Sequence, residues 1–483
     1  MTTMTLSRII CPLLLLICTT CVTKSRASSS NSPSCKSSPP LSDTERDAAA
    51  DLFLENMVHS GYRIQEGFTR MVEPTDCLNE VTRSGAPRCF ASAGSFHYIQ
   101  FVIPQTEGFV DDMAITTTID NKTFYPENKF RDDEAVVIVA RTPPPVPYFG
   151  IAHYLGTRRT GVDDGDRATL WASLGDAINQ QTINTTCWDN YNSAFNNDAV
   201  FIATADQGIY NKITNTLVAS GISENAMNLQ VFSKDVLRLG LDRHSDTVHF
   251  LGRTMGGYSE AIQNYWDTLP FRVFRVTPIA DNDGQKANNS KFATPIRASR
   301  MFDSPELDTS ELGDKLEQLE INIKSQNKGV FEHAKTKPQF VLDGQGCIDQ
   351  LQNCDNSHSD ATYFTNVPAR SIRNNGAYYI VYGVNHASTN MARYSNAVVY
   401  SLGGGEGGTN VAIHRFDSEI SFSNSADSYF SENDEDSMYF YVAIVRKSCP
   451  AFEMNCFEVP EMYLASPLFF AFRSYLDPDA NVG

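Results

Sequence analysis

The stretch DAVFIATADQGIYNKITNTLVASGISENAMNLQVF, residues 198–232, decides the fold class. It opens with a short apolar run, Ala199 to Thr204, that suits a buried strand and stops at Asp206-Gln-Gly. Ile209, Ile213, Leu217 and Val218 then recur near helical spacing, Gly221 ends the helix, and a second apolar run follows. Strand, helix and strand in this order form a βαβ unit, which makes the two strands parallel and lays the helix on one face. No Gly-x-Gly-x-x-Gly follows the first strand, so nothing supports a dinucleotide site.

Outward from this unit, SDTERDAAADLFLENMVHSGYRIQEGFTRMV opens the ordered chain with a Ser/Asp/Thr cap, and Ala49, Leu52, Phe53, Met57 and Val58 predict an amphipathic helix. FHYIQFVIP and AVVIVART are rich in β-branched and aromatic residues and predict strands. PPPVPYFGIAHYLG follows with a proline run that forbids regular structure where it stands. After VFRVTPIA, the turn-rich DNDGQKANNSKF predicts a surface loop near a domain boundary. SPELDTSELGDKLEQLEINIKSQ predicts a capped helix with Leu312, Leu316, Leu319 and Ile321 on its apolar face. Texture then changes: AYYIVYGV, NAVVYSL, VAIHRF and MYFYVAIVRK are strands separated by glycines and polar turns, which predicts a mainly antiparallel sheet.

The N-terminus carries Arg8, the apolar IICPLLLLICTTCV and then small and polar residues, the order of a secretory signal peptide with cleavage near Ser25 to Ser30. SSSNSPSCKSSPPLS reads as a flexible linker. Of the eleven cysteines, Cys11, Cys18 and Cys21 fall inside the signal, and the even remainder suits an oxidising route. Cys77 with Cys89, Cys347 with Cys354, and Cys449 with Cys456 lie close enough to close short loops; Cys35 and Cys187 are left to pair over a distance or to stay apart. Asn121, Asn184 and Asn288 head glycosylation sequons.

At about 450 mature residues the chain exceeds one ordinary core, so two lobes are expected. The expected class is α/β in a mixed α+β arrangement: signal 1–26, linker 27–45, an α/β lobe over 46–295 holding the parallel βαβ unit, and an α+β lobe over 296–483 that is mainly antiparallel. A net charge of -18 argues against nucleic acid as a partner. MYLASPLFFAF is too short to span a bilayer, so no transmembrane span is expected after signal cleavage.

Candidate chemistry is sparse. His244, Asp246 and His249 face poorly for sharing a metal, and Asp163, Asp164 and Asp166 lack the terminal Glu of a calcium loop. No cofactor and no metal is therefore expected. In YGVNHASTNMARYSNAVVY, residues 382–400, Asn385 and His386 stand at a strand end, where polar groups can meet a ligand. His386 could serve as a base given a nucleophile and a carboxylate, yet no nucleophile motif is present. Arg141, Tyr148, Tyr154 and Trp171 gather around the proline run, and Arg473 with Tyr475 lie near the C-terminus. Such side chains can line a cleft for a large, flat, partly polar ligand.

A signal, a βαβ half, a second lobe and no catalytic motif together look like a solute-binding protein that closes on its ligand. In overall length, in its signal at residues 1 to 26 and in the general run of the chain, the sequence resembles the cobalamin acquisition proteins of diatoms and other algae. That resemblance implies binding of vitamin B12 outside the cell or in the secretory path, with delivery to a membrane-bound uptake partner. A secreted hydrolase or redox enzyme using His386, and a structural cell-surface glycoprotein, are the alternative expectations.

Overall fold

The computed structural model describes residues 39–71, 96–109, 117–119, 122–124, 127–161, 167–187, 194–279, 292 and 310–476, except 328, 330, 335, 339–341, 356, 358, 367–369, 373–375, 404–410, 433, 452 and 454. The expected signal, Cys77, Cys89, Asp163, Asp164, Asp166, Asn121, Asn288 and the junction at residue 295 lie outside the described residues. The N-terminal half contains, in order, α1 (Asp43–His59), β1 (Tyr62–Glu66), β2 (Phe68–Met71), β3 (Phe96–Val102), β4 (Thr117–Ile119), β5 (Lys122–Phe124), β6 (Ala135–Arg141), β7 (Tyr148–Arg159), β8 (Arg167–Ser173), β9 (Ile178–Asn179), β10 (Asp198–Thr204), α2 (Gln207–Ala219), β11 (Met227–Val231), β12 (Val248–Met255), α3 (Glu260–Thr268) and β13 (Phe271–Pro278).

The decisive stretch folds as read: β10 and β11 are parallel neighbours joined through α2. They belong to a sheet of order β1-β13-β6-β10-β11 whose other pairings are antiparallel. Alternation explains how this sheet is buried on both sides. Val137, Val139, Val200 and Ile202 pack under α1 and α2 with Phe53, Met57, Ile213 and Leu217, while Val136, Ile138, Phe201 and Ala203 face a second sheet. That second sheet runs β2-β3-β12-β7-β8, with β9 beside β7. Leu52 and Val58, expected on the apolar face of α1, are 43% and 54% exposed, and Ala50 is buried in their place. Helix α1 starts at Asp43, inside the expected linker, because Ser42 and Glu45 form a capping box, a device of about 1 kcal/mol.

The C-terminal half contains α4 (Gly313–Gln326), β14 (Thr336–Pro338), α5 (Gly344–Gln350), β15 (Ala361–Asn366), β16 (Tyr378–Val384), β17 (Ala392–Ser401), β18 (Val411–Asp417), β19 (Phe440–Arg446), β20 (Cys456–Glu458) and β21 (Leu468–Leu476). A third sheet, β14-β15-β21-β17-β18, is antiparallel throughout, as expected. A fourth has the order β16-β19-β20, and its β19–β20 pairing is parallel. Val399, Phe416, Leu468 and Phe470 of the third sheet pack on Val381, Tyr441 and Val445 of the fourth. The opposite side of the fourth sheet, with Ile380, Tyr382 and Val442, rests on Leu319 and Ile323 of α4. Ile321 is 52% exposed rather than apolar-facing, and among the described residues no side chain caps α4.

The second and third sheets stack through a layer of aromatic side chains that includes Tyr148, Tyr363, Tyr394, Tyr400 and Tyr475. The order across the molecule is thus helices, four sheets and a helix. One segment crosses this order. Cys347 and Ile348 of α5, with Cys354, join the core of the N-terminal half, and the Cys354 N–H donates to the Leu170 carbonyl at 2.7 Å. Two disulfides, Cys347–Cys354 and Cys449–Cys456, match the expected short loops. Cys187 is also disulfide-bonded.

Candidate ligand cavity

The turn after β16 brings the opening candidates to their place. Residues 385–391 carry the chain from the fourth sheet to the third, so the two apolar runs of YGVNHASTNMARYSNAVVY do not pair with each other. Asn385 holds this corner: its N–H donates to the Tyr439 carbonyl at 2.7 Å and its side-chain amide to Ser388 Oγ at 2.7 Å. His386 follows, and its carbonyl accepts from the Met391 and Ala392 N–H groups.

His386 lines a cavity of about 1140 Å³ that runs along β16. Its walls come from α4, the segment Phe331–Ala334, β16, and the inward faces of β15, β17 and β21. Phe364, Tyr379, Phe422, Tyr441, Phe470 and Phe472 supply aromatic surface, and Ser395 and Ser474, hydroxyls 3.1 Å apart, supply polar points. A volume of this size exceeds the roughly 300–1,000 Å³ of ordinary small-molecule pockets. Charges stand along it in pairs: Glu320 with Lys324 on α4, and Arg370 with Glu332. His333 Nε2 lies 3.3 Å from Tyr382 Oη, joining the Phe331–Ala334 segment to β16.

Burial lowers the His386 pKa to about 4, so its imidazole is neutral near neutral pH. Among the described residues its Nδ1 has no hydrogen-bond partner.

The remaining candidates lie elsewhere. Tyr148, Tyr154, Arg473 and Tyr475 do come together, in the layer between the second and third sheets, at 2%, 0%, 5% and 0% exposure. There the Arg473 guanidinium donates to Tyr400 Oη at 2.9 Å and stands 5.9 Å from the Tyr363 ring centre, while Arg253 donates to Tyr154 Oη. Arg473 reaches the cavity lining as well, but the other three belong to the closed layer. Arg141 is an anchor for the start of α1: it donates to the Leu41 and Asn196 carbonyls and pairs with Asp198 at 3.4 Å. A void of about 20 Å³ beside it has room for little more than one water. Trp171, at a φ of 39°, donates its indole N–H to Glu127 at 3.0 Å. Asn184 is exposed, with its side-chain amide donating to the Met227 carbonyl at 3.1 Å.

Asp246 forms a bidentate pair with Arg158 at 3.0 and 2.6 Å, and His249 stacks on Tyr154, so the His244, Asp246 and His249 set is not gathered on one point. Among the described residues no group of three or more His, Cys, Asp or Glu side chains could hold a metal, and no helix is long and apolar enough to cross a membrane. Sequence reasoning missed the cavity because it depends on which strands face each other. The pair Tyr378-Tyr379 and the run of Phe469, Phe470 and Phe472 were the available signals.

No known protein family matches the chain, and no curated protein does. Two solved structures align over most of it. One is a protein of Vibrio parahaemolyticus, 12% identical with a TM-score of 0.35, covering 90% of this chain and 92% of that one. The other is an uncharacterized protein of Burkholderia cenocepacia, 8% identical with a TM-score of 0.36, covering 89% and 83%. Likeness of this degree carries no argument about function.

Proposed function

We propose that the protein is a secreted or cell-surface binding protein that takes cobalamin, or a similarly large and partly polar metabolite, into the cavity along β16. The observation that carries this reading is the cavity itself: about 1140 Å³ in which aromatic rings alternate with many polar and charged side chains, a lining suited to a large, partly polar organic ligand. Cobalamin is the first ligand to try because of the sequence resemblance. The signal-like N-terminus, the sequon at exposed Asn184 and the disulfides support an extracellular route. Delivery of the bound ligand to a membrane-bound partner belongs to the same proposal.

The enzymatic alternative through His386 is less well supported. A general base of this type is oriented by a carboxylate on its second nitrogen, and among the described residues Nδ1 of His386 has no such partner. Isothermal titration of the glycosylated mature chain with cyanocobalamin tests the binding reading. Saturable binding at one site is expected, weakened about tenfold by Phe364→Ala, a loss of roughly 1.4 kcal/mol. A flat titration together with an unchanged melting temperature at saturating corrinoid would sink it.

A further inference from the structure

Strand β16 has one neighbour among the described residues, β19, and its seven residues all contribute to the cavity wall. A strand seen face-on offers only alternate side chains; one seen from its edge offers every residue. The register fixes which backbone groups that edge presents. Asn385 continues the pairing of Val384 with Phe440 by one residue, and its N–H donates straight across to the Tyr439 carbonyl. In an antiparallel ladder, directly opposed bonded pairs alternate with unbonded ones. The bonded set is therefore Tyr379, Val381 and Gly383, while Ile380 and Tyr382 turn both N–H and C=O away from β19. The partner strand agrees: the N–H groups of Val442 and Ile444, opposite Tyr382 and Ile380, donate to Ser425 Oγ and to the Asn455 carbonyl, on the side away from β16.

No hydrogen bond among the described residues engages the outward N–H and C=O groups of Ile380 and Tyr382. Natural edges are commonly blunted by lysine, proline or a bulge, and YYIVYGV contains no lysine or proline and pairs without a bulge. Here α4 and the Phe331–Ala334 segment wall the edge into the cavity.

We propose that this edge is the recognition element of the cavity and that its ligand is amide-rich, placing two amides ~7 Å apart so that each meets one outward N–H and C=O pair. The proposal rests on the ligand-binding reading and adds the chemical class. Two sources supply that chemistry, the peripheral carboxamides of a corrinoid and the backbone of an extended peptide.

Hydrogen exchange of the mature full chain, resolved by residue, decides the matter alongside calorimetry. In the free protein the Ile380 and Tyr382 amides should exchange at least a hundredfold faster than those of Tyr379, Val381 and Gly383. Equal protection in the free protein overturns the proposal, since the edge would then be covered. Cyanocobalamin and a capped hexapeptide of alternating valine and threonine are the two probes. Tenfold or greater slowing at Ile380 and Tyr382 with the first assigns the corrinoid source, and with the second the peptide. Calorimetric binding of either probe without that slowing overturns the edge as the recognition element and leaves the cavity as a binding site. Binding of neither overturns both. As a second handle, Ile380→Pro removes one outward donor at a position where edge strands accept proline, and affinity should fall at least tenfold. Should that variant fail to fold, the exchange measurement still decides.

Discussion

The rings of Tyr148 and Tyr475 lie 4.5 Å apart, centre to centre, one at the start of β7 and the other near the end of β21. They join the second sheet to the third, and the Tyr148 hydroxyl extends the contact by donating to Asp360 at 2.8 Å, where Asn179 also donates at 2.9 Å. Tyr148→Phe keeps the ring and leaves Asp360 short of one donor, so a loss of about 1–3 kcal/mol is expected. Tyr475→Ala removes a fully buried ring and should cost about 3–5 kcal/mol. Urea denaturation reads both; a wild-type midpoint for Tyr475→Ala would mean the layer contributes little.

Glu134 and Arg275 form a fully buried pair at 2.6 Å, with Thr277 donating to the same carboxylate at 2.7 Å. Burial pushes the Glu134 pKa up, but the Arg275 charge and the surrounding hydrogen bonds outweigh it and hold the group below its ordinary value. Stability from this depression is complete above the unfolded carboxyl value and declines as pH falls through the acid range. Glu134→Gln strands the guanidinium and should cost about 3–5 kcal/mol by calorimetry. It should also flatten the acid limb of the stability curve. A variant with an unchanged melting temperature contradicts the assignment.

His386 and His414 are both lowered to about 4, His386 by burial and His414 by burial first and Arg415 second. Both are held neutral in the folded state, so the unfolded chain binds more protons between pH 6.5 and 4. Stability from each is intact above pH 6.5 and lost as pH falls towards 4, by roughly 1–3 kcal/mol. His414 stacks on Phe457 at 3.8 Å. Replacing either histidine by glutamine should flatten that part of the denaturation profile, and an unaltered slope in both variants rejects the account.

The two short disulfides differ in access. Cys347 and Cys354 are 1% and 0% exposed within the N-terminal core, whereas Cys449 and Cys456 are partly exposed. Under a graded thiol reductant Cys449–Cys456 should open first, as mass mapping of alkylated cysteines would report. Each bridge closes a loop of similar length and contributes about 2–3 kcal/mol through the unfolded state. Cys347→Ser with Cys354→Ser should cost more, because it also places hydroxyls in an apolar core. The reverse order of reduction would show that the N-terminal core opens locally at Cys347.

The βαβ unit was legible because its signals are local: an apolar strand, a helical repeat and a stop at Gly221 lie within residues 198–232. Strand β7 was obscured by the prolines before it, and β12 by the polar RHSD that leads into it, although both are central in the second sheet. Of the six candidates Arg141, Tyr148, Tyr154, Trp171, Arg473 and Tyr475, the four Tyr148, Tyr154, Arg473 and Tyr475 assemble while Arg141 and Trp171 stand apart, because aromatic and arginine content alone does not separate a wet cleft from a dry layer between sheets. His386 was legible as a polar group at a strand end. That it borders a cavity follows from the pairing of β16 with β19 and of β17 with β21, partners far apart in the chain.

Because α5 and its disulfide pack under β8, the first half of the chain reaches its full core only after residue 354 has been made. During synthesis the early sheets must wait, with the surface beneath Leu170 still open, while the chain from Pro278 to Cys354 emerges. A fragment ending near residue 295 would keep that opening permanently, so the natural unit of production is the whole chain rather than either half.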